Sequence, residues 1–317
     1  MSKESNNQGR AYEYVCLTTL EKEIKRIRPA RIEENSSYHA AKRAWQSIDD
    51  SLKETLMESA HAAVKAIFDL EPLIVEDGND MLDLLIQTDE KCEEGDVRDI
   101  LIIRRNIQWE IGLSVKHNHF AVKHSRLSKG LDFGEKWFGV KCSYKYWNDI
   151  KPIFEYLEAE KKKGSKWSDL PSKENDVYIP LLNAFVDEVK KSASTNAELP
   201  AKMVEYLLGE YDFYKVISVD KKRTTQIQVF NLRGTLAKPS DKDVSRYEVP
   251  VSSLPTRIVS LDFKPGSNNT VELYMDGGWQ FSFRIHNAST KVETSLKFDV
   301  QIIGMPATII SINCVWR

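Results

Sequence analysis

Apolar residues recur at steps of three and four positions through the N-terminal part of the chain. The first stripe consists of Leu17, Leu20, Ile24 and Ile27. This spacing is typical of an amphipathic helix with one buried face, and Pro29 marks its end. A second stripe of the same spacing runs from about Tyr38 to Leu70 and predicts further helix before Pro72.

The period changes after Pro72, where short and mostly apolar runs predict β-strands. These runs are MLDLLIQT, DILIIRR and IQWEIGLSVK. The stretch from Ile100 to Ile103 is apolar on both faces, which favours a central strand in a sheet that helices cover. Helical spacing returns at about Tyr146–Lys163, Asp176–Lys191 and Ala201–Leu208.

Alternating apolar and polar residues dominate the chain after Gly209 and predict further strands. The segments are FYKVISV, TQIQVFN, TRIVSLDF, TVELYM, WQFSFRI, LKFDVQI and TIISINCVW. We therefore predict an α/β (α+β) fold in which helices flank a mixed central sheet, followed by a β-rich C-terminal part. The predicted division lies near residue 209, between a helical and central-sheet region, 1–209, and a β-rich region, 210–317.

Composition supports a folded protein, because 41% of the 317 residues are hydrophobic and 29% are charged. The N-terminus MSKESNNQGR lacks the apolar core of a signal peptide, and no segment has the apolar length of a membrane span. We expect a cytoplasmic location and no membrane partner. The cysteines Cys16, Cys92, Cys142 and Cys314 form no CxxC pair, and we expect them to be reduced core residues.

Charge is unevenly distributed, although the net charge is only -2. Eleven Asp or Glu residues lie between Glu71 and Asp99, whereas seven Lys or Arg residues lie between Lys116 and Lys145. Such runs are often two solvated faces. The alternative is a carboxylate cluster that binds metal beside a surface that binds phosphate.

Asp99 opens one predicted strand and Lys116 ends the next, so a tight pairing would bring both to one sheet edge. Asp96 lies just upstream. Carboxylates that hold a divalent cation, with a lysine that steadies the nucleophile or the developing charge, suit phosphodiester hydrolysis. The alternative is that Asp99 caps a strand and Lys116 is a surface lysine.

Side chains alternate along a strand, so Ser114 shares a face with Lys116. Glu110 shares that face but lies about 20 Å from Lys116 at roughly 3.3 Å per residue, too far to share a metal. Glu13 is a better second acid, because it projects from the buried stripe of the first helix and needs a partner there. An N-cap or a salt bridge is the alternative for Glu13.

The order DVRDILI followed by WEIGLSVKHNH resembles the PD-(D/E)XK nuclease superfamily, in which an Asp opens one strand and an acidic-X-Lys triplet occupies the next. Three stretches look more closely like the HaeIII family of type II restriction endonucleases. They are NNQGRAYEYVCLTTL, GDVRDILI to KHNHFAVKHSRLS, and FRIHNASTKVETSLKFDVQI.

This resemblance implies a catalytic site of Asp99, Lys116 and Glu13 with Mg²⁺ as cofactor. The departure is Ser114, because the superfamily expects Asp or Glu at that position and serine is a poor ligand for a hard dication. The second metal ligand is then Glu13, Asp96, or a water held by Ser114.

The resemblance also implies cleavage of double-stranded DNA at the palindrome GGCC, with blunt ends and 5′-phosphates. A two-fold symmetric target implies a homodimer, and the family implies a cognate DNA methyltransferase. The alternatives are a nuclease of other specificity, active in repair or on particular DNA structures, and a DNA-binding protein whose nuclease site has decayed. Ser114 is the residue that supports the last alternative.

Two donor-rich stretches are candidate DNA contacts. The first contains His117, Asn118, His119, Lys123, His124 and Arg126, and the second contains Arg284, His286, Asn287, Ser289 and Lys291. A zinc site formed by the three histidines of the first stretch is an alternative that lacks a fourth ligand. The second stretch has the alternative of an ordinary exposed hairpin.

Overall fold

The computed structural model describes residues 3–76, 78–88, 95–123 and 125–316, so Cys92 and His124 lie outside the described residues. The helices are α1 (Lys3–Ile24), α2 (Ser36–Ser47), α3 (Asp50–Leu70), α4 (Pro72–Val75), α5 (Phe133–Phe138), α6 (Tyr144–Lys163), α7 (Ile179–Thr195) and α8 (Leu199–Leu208). The strands are β1 (Ala30–Ile32), β2 (Leu82–Ile86), β3 (Ile100–Arg104), β4 (Trp109–His117), β5 (Ala121–Lys123), β6 (Arg126–Ser128), β7 (Phe213–Val219), β8 (Thr224–Phe230), β9 (Ile258–Phe263), β10 (Thr270–Met275), β11 (Gln280–His286), β12 (Ser295–Gly304) and β13 (Ser311–Val315).

The chain forms two compact units, and each is built from separate stretches of sequence. Unit 1 contains Met1–Phe120, Gly209–Ser252 and Ala307–Arg317, and unit 2 contains Ala121–Leu208 and Ser253–Pro306. The linear division at residue 209 does not coincide with these units. The chain returns to unit 1 at Gly209 because β7, β8 and β13 complete the sheet that β1 to β4 begin.

Unit 1 is a mixed sheet with helices packed on it, which confirms the predicted α/β class. Its described strands follow the order β1-β2-β3-β4-β7-β8-β13. The pairs β1–β2 and β4–β7 are parallel, and the other pairs are antiparallel. Leu17 and Leu20 of α1 and Ile67 of α3 share one buried cluster with Ile100 and Leu113 of the sheet.

The predicted helical region from Tyr38 to Leu70 is two helices, because a capping residue interrupts it. Ile48 has an extended backbone at the end of α2, and Asp49 Oδ1 accepts a hydrogen bond of 2.9 Å from the Leu52 amide. Asn35 caps α2 in the same way through Tyr38 N. An Asp or Asn side chain at this position satisfies an amide that the first helical turn leaves unpaired.

Unit 2 contains an antiparallel sheet whose described strands follow the order β5-β12-β11-β10-β9, with β6 also paired to β12. Its interior is aromatic, and the rings of Phe133, Trp137, Phe185, Phe283 and Phe298 lie 5.1 to 6.2 Å apart along their contacts. The seven strands predicted after residue 209 are all present, and β9 to β12 belong to this sheet.

Cysteine placement agrees with the expectation of free thiols for the described residues. Cys16 and Cys142 are buried, Cys314 is half-buried, and each is free. In the part of the chain that the structure describes, no helix combines the length and the apolar character that crossing a membrane requires.

Glu71, between α3 and α4, is a fully buried carboxyl group in unit 1. Its Oε1 accepts hydrogen bonds from the Tyr214 hydroxyl and, at 2.8 Å, from Ala237 N, whereas Oε2 has no partner among the described residues. Burial raises the pKa of Glu71 to about 7, although both hydrogen bonds act to lower it. The neutral acid is therefore favoured in the folded state below about pH 7.

We expect Glu71 to lower the free energy of unfolding as pH rises from about 5 to about 8, and Glu71→Gln to remove this contribution. The folded pKa lies above the ordinary value of 4.5, so the stabilising contribution is complete below 4.5 and is lost as pH rises through about 7. The shift corresponds to on the order of 3 kcal/mol. Urea unfolding at the two pH values measures it.

The control is Glu54→Gln, which changes an exposed glutamate of α3 and should keep the wild-type pH dependence. Equal pH dependence in wild type and Glu71→Gln would contradict the assignment to Glu71.

Candidate active site

Asp99 is fixed at the end of the unit 1 sheet by its backbone. Its amide donates to Leu113 O at 2.8 Å, and its carbonyl accepts from Gln87 N at 2.9 Å. The residue therefore stands directly before β3, as the sequence predicted, and its backbone bonds to the neighbouring β2 and β4 segments. This placement directs a carboxylate to the sheet edge where β2 ends and β3 begins.

The carboxylate of Asp99 receives three hydrogen bonds on a single oxygen. Oδ2 accepts from Val115 N at 2.6 Å, from Lys116 Nζ at 2.8 Å and from Ser114 Oγ at 3.3 Å. None of the hydrogen bonds among the described residues reaches Oδ1. The three donors hold the carboxylate in one orientation.

Glu13 shares a small cavity with Asp99. The cavity, of about 110 Å³, is lined by Asn6, Arg10, Glu13, Ser37, Ile86, Gln87 and Asp99. The helix phase that buries Leu17 and Leu20 turns Glu13 toward this sheet edge, so α1 and β3 each supply a carboxylate. At roughly 30 Å³ per water, the space suits a cation with a few waters.

Asp96 is engaged elsewhere, because the buried guanidinium of Arg98 covers it. Arg98 donates to it from Nε at 2.9 Å and from Nη2 at 2.7 Å. Gln87 Nε2 donates at 2.6 Å to Asp96 Oδ2, the oxygen that Arg98 Nη2 also binds. Asp96 is not among the described residues that line the cavity of Glu13 and Asp99. Arg98 also binds Glu110 at 2.9 Å, which agrees with excluding Glu110 from the metal site.

Gly112 of β4 makes room for Arg98. A Cβ at this position would lie 2.1 Å from Arg98 Cδ and 2.8 Å from Arg98 Cβ, far inside contact distance. We expect Gly112→Ala to lower the free energy of unfolding by about 1–3 kcal/mol in a urea titration, because a filled core cannot take the added methyl group.

Gly130→Ala is the matched control for Gly112→Ala, since a Cβ there would meet no described atom within 4 Å. Equal stability of the two variants would show that Arg98 moves aside without cost.

A second lysine lies next to this site on the neighbouring strand. Lys215 of β7 pairs with Ser114 of β4 and is only 2% exposed. Burial and, to a lesser degree, the Lys116 ammonium lower the pKa of Lys215 to about 7, and Asp99 opposes this shift. The site thus combines two carboxylates with two lysines, a set that can hold a divalent cation and balance the charge of a phosphodiester.

Comparison with known proteins identifies the family. The model of the HaeIII restriction endonuclease family matches residues 9–306. The chain belongs to the HaeIII restriction endonuclease family. It is similar to the type II restriction enzyme HaeIII of Haemophilus aegyptius, with 55% identity over 318 aligned positions that cover 100% of both chains. No solved structure matches the chain.

Two of the predicted DNA contacts are held inside unit 1 of this HaeIII family member. His117 Nε2 lies 2.7 Å from Asp220 Oδ2, and Asn118 Nδ2 donates to the same oxygen at 2.8 Å. Asp220 N donates back to Asn118 Oδ1 at 3.1 Å. These bonds fix the turn after β4. His119 follows in the turn and is half-buried.

Two other predicted contacts from this stretch lie in unit 2. Lys123 Nζ donates to Tyr206 O at 2.6 Å and lies 3.7 Å from the centre of the Tyr206 ring. Burial, then the Lys136 charge, lowers the pKa of Lys123 to about 8. Arg126 is exposed, so it is better placed than Lys123 to meet a phosphate.

The C-terminal stretch combines an outward face with a turn. Arg284 and His286 alternate with buried Phe283 and Ile285 along β11, so both lie on the outer side of the unit 2 sheet. Asn287 shapes the following turn, because its Nδ2 donates to Ser289 O at 2.5 Å and to Lys291 O at 2.7 Å.

Lys297 joins this outer face and was not predicted from the sequence. It pairs with His286 on one side and with Arg126 on the other. Burial, followed by the charges of Arg284 and Lys297, lowers the pKa of His286. Two cationic side chains, Arg126 and Lys297, therefore lie in adjacent positions on β6 and β12, with the imidazole of His286 beside Lys297 on β11.

Lys215, Arg98 and Gln87 also lie at the site and were not predicted from the sequence. Lys215 carried a usable signal, since it is a lone lysine in the otherwise apolar run FYKVISV. A charged residue inside a buried strand needs a partner and is often functional.

Proposed function

We propose that this protein is a type II restriction endonuclease that hydrolyses both strands of DNA at a short palindrome, with GGCC as the first candidate. The observation that carries the proposal is the Asp99–Lys116 pair at 2.8 Å beside the cavity that Glu13 also lines. The similar protein from Haemophilus aegyptius is a type II restriction enzyme, and its name supports the same class of activity here.

The donor set fits Mg²⁺. Asp99 and Glu13 offer hard oxygen ligands, and Mg²⁺ keeps several waters when one or two carboxylates bind it. Among the described residues no group of three or more His, Cys, Asp or Glu side chains is arranged to hold a metal ion, so water and phosphate oxygens would complete the coordination. When bound, Mg²⁺ would polarise the phosphate and lower the pKa of a coordinated water.

Lys116 places a positive charge where the attacking oxygen and the phosphate meet. Ser114 and Val115 N keep Asp99 in one orientation, so the carboxylate needs no reorganisation during the reaction. Water attacks phosphorus in line with the bond to the 3′ oxygen, and that bond breaks to give a 5′-phosphate and a 3′-hydroxyl. Ser114 acts here by orienting Asp99 and needs no direct contact with metal.

DNA contact is proposed for the outer face of unit 2 and for the turn after β4. Arg126, Arg284 and His286 can meet phosphates or guanine edges in the major groove. A palindromic target cut on both strands favours a homodimer, with one active site for each strand. A cell that makes such an enzyme needs a cognate DNA methyltransferase to protect its own GGCC sites.

Plasmid digestion tests the proposal. Purified protein, plasmid and Mg²⁺ should give discrete fragments that correspond to the GGCC positions, with blunt ends and 5′-phosphates on end sequencing. Chelation with EDTA should stop cleavage, and prior modification by a methyltransferase that acts on GGCC should protect the plasmid.

Other outcomes separate the alternatives. Discrete fragments at another sequence would keep the restriction activity and replace GGCC. A uniform smear would indicate a nonspecific nuclease, and retention of DNA without cutting would indicate a DNA-binding protein with a decayed site.

A further inference from the structure

A row of polar side chains crosses the unit 1 sheet at Asp99. Ile100 pairs with Leu113, so Asp99 lies opposite Ser114 one position further along, and Ser114 pairs in turn with Lys215. Residues opposite one another in a sheet point to the same face. Asp99, Ser114 and Lys215, which we call the polar row, therefore occupy one face of β3, β4 and β7.

The ammonium of Lys215 reaches the turn that carries the chain out of β4. Lys215 Nζ donates to Phe120 O at 2.7 Å. The same turn is fixed at a second point, because Asn118, with φ of 51°, donates its amide to Ser218 O at 2.9 Å. Strand β7 thus holds the segment after Lys116 through one side chain and one backbone carbonyl.

We propose that Lys215 is a positioning residue of the active site, which keeps Lys116 on Asp99 by holding the turn at Phe120. This inference rests on the proposed nuclease function. Lys116 lies two residues after Ser114, near the end of β4. A shift of the turn that follows β4 would therefore also move Lys116.

A merely structural lysine would affect only stability, and three substitutions separate the two roles. Lys215→Met removes both the charge and the donor at similar length. Lys215→Gln keeps a donor without charge and remains available if Lys215→Met does not fold. Lys215→Arg keeps charge and donors, and should restore most of the activity.

Tyr214→Phe is the matched control, because Tyr214 is the adjacent buried residue of β7 and points to the opposite face. It loses the hydrogen bond to Glu71 and should reduce stability without changing the turnover number at a temperature where it is folded.

Single-turnover cleavage and DNA affinity in Ca²⁺ provide the first readout. We expect Lys215→Met and Lys215→Gln to lower the cleavage rate by about 10- to 100-fold. The Kd for DNA should change by less than about threefold, because Lys215 is only 2% exposed and its ammonium donates to Phe120 O. A rate within about threefold of wild type, with stability reduced as in Tyr214→Phe, would overturn the proposal.

Crystal structures of wild type and the variants provide a second readout that does not depend on cleavage. The Lys116 Nζ to Asp99 Oδ2 distance should lengthen beyond hydrogen-bond range in Lys215→Met or Lys215→Gln and return in Lys215→Arg. An unchanged pair would refute the positioning role. Wild-type protein that fails to cut any DNA would refute the proposed function instead, and this distance would still decide the role of Lys215.

Discussion

Lys116→Ala is expected to lower DNA cleavage by about a thousandfold, while DNA binding in Ca²⁺ stays close to that of wild type. Lys116 Nζ donates directly to Asp99 Oδ2, and the Lys116 side chain is 27% exposed. A substitution that removes an interaction made mainly in the transition state lowers the cleavage rate and leaves the affinity for DNA unchanged.

Lys53→Ala is the matched control for Lys116→Ala. Lys53 also lies in unit 1, is 26% exposed and forms an ion pair of 2.9 Å with Asp50, but it stands on α3 away from the cavity. We expect its cleavage rate to equal that of wild type. Wild-type activity of Lys116→Ala would contradict the assignment of Lys116, at the end of β4, to the catalytic site.

Local geometry explains why the Asp99–Lys116 pair could be predicted. Strands β3 and β4 are joined by the short turn at 105–107, so their register follows from the sequence between them. Alternation then places Ser114 beside Lys116, and the structure has both bonded to Asp99. Short connections leave little freedom for residues at the open ends of a hairpin.

The hydrogen-bond partners of the turn after β4 could not be predicted from local sequence patterns. His117 and Asn118 are good donors, and nothing nearby in the sequence announces a competing acceptor. Asp220, about a hundred residues later, binds both because β7 inserts parallel to β4. A parallel pairing needs a long crossover, and its register cannot be derived from the residues within one strand.

The same crossover explains why Lys215 and the discontinuous units were missed. The sequence from residue 121 to 208 forms part of unit 2 before the chain returns to the unit 1 sheet.

The length of an element decides whether its pattern can be recognised. The strands β1, β5 and β6 are three residues long, too short to show an alternating period. Glu13 could be found because the buried stripe of α1 fixes its phase over several turns.

Glu13→Gln is expected to raise the Mg²⁺ concentration needed for half-maximal cleavage by more than about tenfold and to lower the maximal rate. The amide keeps the size of the side chain and removes its charge, so the loss belongs to metal binding and not to packing. Titration of the DNA-free protein with Mn²⁺ by calorimetry measures the same weakening without cleavage. Glu23→Gln, on the same helix and paired with Arg26, should leave both measurements unchanged.

Asp96→Asn tests whether Asp96, and not Glu13, is the second metal ligand. We expect this substitution to lower stability and not to change metal binding. Asp96 balances the buried Arg98, so its neutralisation leaves an under-compensated buried charge and should destabilise the protein by about 3–5 kcal/mol. The Mg²⁺ dependence of the folded variant should remain that of wild type, because Gln87 and Arg98 already occupy its oxygens. Full activity of Glu13→Gln, together with a shifted Mg²⁺ dependence of Asp96→Asn, would reverse the assignment. In that case the carboxylate that compensates for Ser114 would come from the β3 side of the sheet edge and not from α1.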